Sequence, residues 1–189
     1  MPLREAFGLD LHTTKLVKDE IDNNADLPHK YFVSLAWSPA EVCRMWSELQ
    51  DKMSAPKKVI EAALDDWKMN QAHKFVVELA RDTNSHIQAY SGLHEPTKEH
   101  IHFHTILCSE KPLSTREIMN SWKYCNNMSK DVKIYDPNYL GVLGNAVTYV
   151  MHIHRPIPNQ GKVYCPKKLR ACRKGKCKHT GGNILQRTQ

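Results

Sequence analysis

The chain has 189 residues, 41% apolar and 25% charged, which is the composition of a globular domain long enough for one packed core. No apolar run approaches the roughly 20 residues of a membrane helix. The opening MPLREAFGLDLHTTK lacks the apolar core of a secretory signal, so neither a membrane protein nor an exported one is expected.

The net charge of +7 is unevenly spread. Residues 155–189 hold ten Lys and Arg and no Asp or Glu, which leaves 1–154 at −3. A basic tail on a near-neutral body points to a polyanion, most simply nucleic acid. Of six cysteines, Cys43, Cys108 and Cys125 lie in apolar contexts and read as small buried hydrophobes. With no export signal, a reducing compartment and no disulfides are expected.

In chain order, residues 1–29 carry few apolar positions and read as a loosely held arm. YFVSLAW (31–37) is a strand by its aromatic and β-branched content. Ser38, Pro39 and Glu41 then form a helix start with capping-box spacing. Val42, Met45, Trp46, Leu49 and Met53 continue at helical spacing, and a second helix is expected over 57–69. Strands follow at 74–80, 86–91 and 100–107, joined by short turn-rich links that imply antiparallel pairing. A helix starts at Ser114, a strand covers 131–135, and a helix covers 139–152. The order β-α-α-β-β-β-α-β-α predicts an α+β domain, with a central, mostly antiparallel sheet of about five strands flanked by helices.

The most informative segment is HIHFHTIL, 100–107. On a strand, His100, His102 and His104 share one face, next neighbours about 7 Å apart, while Ile101, Phe103 and Thr105 take the other. Imidazoles repeated on one face suit a divalent cation, with a further ligand from a neighbouring segment such as His94 or Glu95. Zinc would accept imidazoles alone; Mn²⁺ or Mg²⁺ with open positions would polarise a phosphate. A nucleophile is offered by VTYVMHIHR, 147–155, where Tyr149 and His152 stand three apart on a helix. A phenol is a weak nucleophile until a nearby cation stabilises its anion. Tyr139 and Tyr164 are the next candidates.

These residues resemble the HUH endonucleases, in which two histidines flank a hydrophobic residue: rolling-circle replication initiators (Rep proteins), relaxases and related transposases. YFVSLAWSP (31–39) is similar to the first strand motif, EHIHFHTIL (99–107) to the HUH strand, and AVTYVMHIHRPIPNQGKVY (146–164) to the tyrosine motif. The likeness is nearest to Rep proteins of small Gram-positive rolling-circle plasmids, whose tyrosine motif reads Tyr-x-x-His, as do Tyr149 to His152. The resemblance implies an HUH/RRM-like nuclease domain over 30–158, between the arm 1–29 and a basic, Cys-containing tail 159–189. It implies His102 and His104 as the core metal pair, with His94 or His100 beside them and Gln88 as another ligand-bearing position. It implies Tyr149 as covalent nucleophile, assisted by His152, nicking single-stranded or hairpin DNA at a replication origin with Mn²⁺ or Mg²⁺. A bacterial cytoplasm would follow from the plasmid likeness, and an oligomer is compatible with it.

Relaxase or transposase activity shares this chemistry. A different class of reading is a non-enzymatic, zinc-stabilised nucleic-acid binder. Cys165, Cys172, Cys177 and His179 offer zinc three thiolates and an imidazole, while Lys167, Lys168, Arg170, Arg173 and Lys174 among them suit DNA phosphates.

Overall fold

The computed structural model describes residues 8–97, 100–123, 130–138, 140–141, 144–157 and 160–166. It is an α+β domain. Strands β1 (His29–Ala36), β2 (Ile87–Thr97), β3 (His100–Ser109), β4 (Lys130–Ile134) and β7 (Arg155–Pro156) lie in the order β4-β1-β3-β2-β7. A short β8 (Val163–Tyr164) pairs with the start of β2, and every pairing in this sheet is antiparallel. A separate two-residue pair is formed by β5 (Leu140–Gly141) and β6 (Gly144–Asn145).

One face of the sheet is covered by helices α3 (Lys57–Thr83) and α4 (Thr115–Ser121), with α2 (Pro39–Met53) packed on α3 and reaching the core through Val42. Leu35, Leu93, Phe103 and Leu107 pack there against Phe75, Leu79 and Trp122. α4 begins with a complete capping box from Ser114 and Glu117. α2 has only half of one: Ser38 accepts from the Glu41 amide, while the Glu41 carboxylate turns to Arg44.

The expected strand 74–80 is instead the last third of α3. Phe75, Val76, Leu79 and Ala80 extend the buried stripe of Ile60, Leu64, Lys68 and Ala72, and no breaker interrupts 57–83. The helix stops at Asn84, whose φ of 49° is left-handed. A β-rich run thus follows the face it must bury rather than its own propensity.

The other face is covered as well, which corrects the reading of a loose arm over its described part, residues 8–29. α1 (Leu11–Asn23) is capped by Asp10, which accepts from the Thr13 amide at 2.9 Å, and it buries Thr14, Val17 and Ile21. Val17 and Ile21 join Tyr90, Ile106, Cys108, Val147, Val150 and Met151 in a second core. The tail boundary also moves: Gln160 is buried and brackets the Ser91 backbone, accepting from its amide and donating to its carbonyl at 2.6 Å each. The expected helix 139–152 is replaced by the β5–β6 pair, a single turn α5 (Ala146–Thr148) and a π-helical turn, Tyr149–Ile153.

That π-helical turn lies hard against β2 at Gly92. A Cβ placed there would stand 2.2 Å from the Val150 carbonyl oxygen and 2.9 Å from His154 Cβ. A strand glycine here marks a close backbone approach. Replacing a strand glycine with alanine ordinarily adds stability by restricting the unfolded chain. At Gly92 the sign reverses, because backbone must move. Gly92→Ala is expected to lower unfolding free energy by about 1–3 kcal/mol in urea titrations; an unchanged or raised value would contradict the contact.

Candidate metal centre and tyrosine

The site forms where β2 and β3 meet the π-helical turn. The β2–β3 register sets His94 opposite His102 and Gly92 opposite His104. His94 Nδ1 and His102 Nε2 are 2.9 Å apart. One ligand nitrogen each from His94, His102 and His104 lies within 4.8 Å of the others, so this cluster can hold a metal ion.

His104 is the most deeply placed, 7% exposed and stacked on Phe32. Its Nδ1 shares a 2.7 Å hydrogen bond with Ser34 Oγ, across the β1–β3 ladder, while its Nε2 is buried with no hydrogen-bond partner. A proton on Nδ1, donated to Ser34, leaves the Nε2 lone pair free for a cation, the usual way an outer hydrogen bond fixes a ligand tautomer. Burial, and then the neighbouring imidazoles His102, His154 and His94, push the His104 pKa from 6.5 down to about 2. His104 is therefore neutral, the state a metal ligand requires.

Tyr149 lies beside this cluster, its ring centroid 4.9 Å from that of His104. His152, paired with it by helical spacing, is turned elsewhere: its Nδ1 donates to the Leu9 carbonyl at 2.6 Å. The Met151 and His152 carbonyls accept from the Leu9 and Gly8 amides, so the N-terminal segment closes the end of the turn. The histidine that joins Tyr149 is His154, 4.4 Å away between centroids, 4.3 Å from His94 and 5.2 Å from His104. The i→i+5 repeat of a π-helical turn brings the residue five positions on back over the first, and such turns recur at functional sites. Arg155 precedes Pro156 and is biased to extended backbone, so the helical turn ends before it.

Two further candidates are placed outside the cluster. Both Glu95 carboxylate oxygens are taken by cations, Oε1 by Lys68 and Oε2 by Arg155. Gln88 is fully buried at the far end of β2, donating to Glu20 and the Gly161 carbonyl and accepting from Asn24. His100 starts β3 opposite Thr97, and its side chain is outside the described set. Tyr164 is 3% exposed and hydrogen-bonded to His73, while Tyr139 lies outside the described residues.

Cys165 is disulfide-bonded, against the expectation of a chain without disulfides and against a free thiolate for zinc. Cys172, Cys177, His179, Lys167, Lys168, Arg170, Arg173 and Lys174 lie outside the described residues, as does Cys125. Cys108 is buried as expected, its thiol pushed up to about 12 by burial, whereas Cys43 is exposed.

The depressed His104 pKa has a sign in stability. Below its unfolded value near 6.5 the unfolded chain binds a proton that the folded chain refuses. The metal-free protein therefore loses stability as pH falls from about 6.5, by at most ~1.4 kcal/mol per pH unit from this group. Urea unfolding at a series of pH values should show His104→Gln with a shallower acid loss than the unsubstituted protein; parallel curves would contradict the assignment.

No protein-family model, curated protein or solved structure matches the chain.

Proposed function

We propose that the protein is a metal-dependent single-strand DNA endonuclease and strand transferase that acts through a covalent phosphotyrosine. The observation that carries this reading is Tyr149 beside a three-histidine metal cluster, 4.9 Å between its ring and that of His104. His94, His102 and His104 would hold the ion, which when bound neutralises charge on a phosphate oxygen. Three imidazoles favour Mn²⁺ over the harder Mg²⁺, since Glu95, the nearby carboxylate among the described residues, is already paired.

Tyr149 Oη attacks the phosphorus of a phosphodiester as its proton leaves. The Tyr–O–P bond forms and the P–O3′ bond breaks, so the 5′ phosphate stays on the protein and the 3′ oxygen departs as a hydroxyl after taking a proton. Attack by a 3′-hydroxyl on the same phosphorus reverses the step and joins strands. Because the bond energy is kept in the phosphotyrosine, the chain can close what it opens. Such chemistry suits rolling-circle initiation at an origin, and equally a relaxase or a single-tyrosine transposase. The basic residues after 155 would add phosphate contacts. No helix among the described residues is long and apolar enough to cross a membrane.

The test needs no known target. A pool of randomised single-stranded oligonucleotides, incubated with the protein and Mn²⁺, is expected to leave DNA attached after denaturation, recoverable on a peptide containing Tyr149. Tyr149→Phe is expected to retain DNA and Mn²⁺ binding and lose the adduct entirely. Metal binding without any adduct would return the cluster to a structural role, and an adduct that survives Tyr149→Phe would contradict the nucleophile.

A further inference from the structure

His154 ends the π-helical turn in extended backbone just before β7, and alternation along extended chain places His94 and His154 on one face and the residues that follow them, Glu95 and Arg155, on the other. There they meet α3. Arg155 Nη1 donates to Asp65 Oδ2 and Nη2 to Glu95 Oε2, each at 2.9 Å. Lys68 Nζ lies 2.9 Å from Asp65 Oδ1 and also donates to Glu95 Oε1. The four charges close into a ring of alternating sign, and the Lys68 side chain within it is only 4% exposed. A buried ammonium is tolerated because two carboxylates share it.

The β2–β3 ladder runs unbroken from Ile87 to His94 and gives out just beyond it, where Glu95 stands. β7 has two residues, and β2 loses its register with β3 between His94 and Thr97. By contrast α3 is a continuous helix, on which Asp65 and Lys68 stand three apart on one side. We propose that the Asp65–Lys68–Glu95–Arg155 ring is a positioning device that fixes His94 and His154 from behind the sheet by tying β2, which carries His94, and β7, which directly follows His154, to α3. Glu95 and Arg155 thus act through the imidazoles and touch no reacting atom. The role deepens the metal-site reading and rests on it for its consequence. Groups that orient ligands in this way govern affinity through the ligands they hold.

The experiment measures Mn²⁺ affinity by calorimetric titration of the full chain and the imidazole carbon shifts of His94 and His154 in the metal-free protein. The variants are Arg155→Met, the isosteric Glu95→Gln and Arg155→Lys. Ser114→Ala serves as a control that removes a helix cap far from the ring. Arg155→Met and Glu95→Gln are each expected to bind Mn²⁺ about tenfold more weakly or worse and to move both imidazole signals. Arg155→Met combined with Glu95→Gln should lose little more than either alone, and Arg155→Lys should recover part of the loss. Ser114→Ala should lower the melting temperature and leave affinity and signals unchanged. Unaltered affinity in Arg155→Met would overturn the proposal, as would tighter binding, which would mean that the released Glu95 is itself a ligand. Should the unsubstituted protein take up no Mn²⁺, the metal reading fails, and the imidazole signals alone decide the ring: displaced in Arg155→Met they support it, unmoved they overturn it.

Discussion

The arrangement depends on one close approach, the Val150 carbonyl packed into the place where Gly92 has no side chain. Gly92 faces His104 across the β2–β3 ladder and Pro156 across β2–β7. Any larger residue would lift the π-helical turn from the sheet and take Tyr149 and His154 away from the histidines. A similar contact closes the far side, where a Cβ on Gly8 would stand 2.1 Å from the Met151 carbonyl. The tyrosine segment is therefore held between β2 and the N-terminal segment, and its last carbonyls are satisfied by backbone amides rather than by water.

Seen from the sheet, the site is an interruption of a core rather than an exposed surface. Further along β3 the face that carries His102 and His104 carries Ile106 and Cys108, both fully buried. Burial makes a charged imidazole costly, so His104 stays neutral and its Nε2 is left without a hydrogen-bond partner. A cation would meet that unfilled acceptor. The opposite face shows the complementary solution, where the charged Glu95 and Lys68 are matched by partners and demand nothing further.

Much of this was legible in the sequence because it depends on local periodicity. Alternation alone put His102 and His104 on one face, and Ser114 and Glu117 announced α4; the antiparallel pairing of β2 with β3 was expected too, but 92–97, read as a turn-rich link, is the second half of β2. What local pattern misjudged was decided by tertiary burial. Phe75 and Val76 look like strand residues, yet they complete the stripe that α3 buries. α1 looks too polar to fold, yet Thr14, Val17 and Ile21 suffice because the sheet presents Tyr90 and Ile106 to them. The choice of His152 over His154 assumed an α-helical turn. One extra residue in the turn exchanges the two, and no single-residue propensity encodes that. The ring through Asp65 and Arg155 joins positions 90 apart in the chain, which spacing cannot reveal.

The central claim is that one metal, bound by three imidazoles, lies beside Tyr149. Anomalous diffraction from crystals equilibrated with Mn²⁺ tests it most directly. The account predicts a peak enclosed by His94, His102 and His104 on the side facing the Tyr149 hydroxyl, and no such peak when His102 and His104 are both alanine. Density at another site, or an imidazole cluster that remains empty at saturating Mn²⁺, would contradict it.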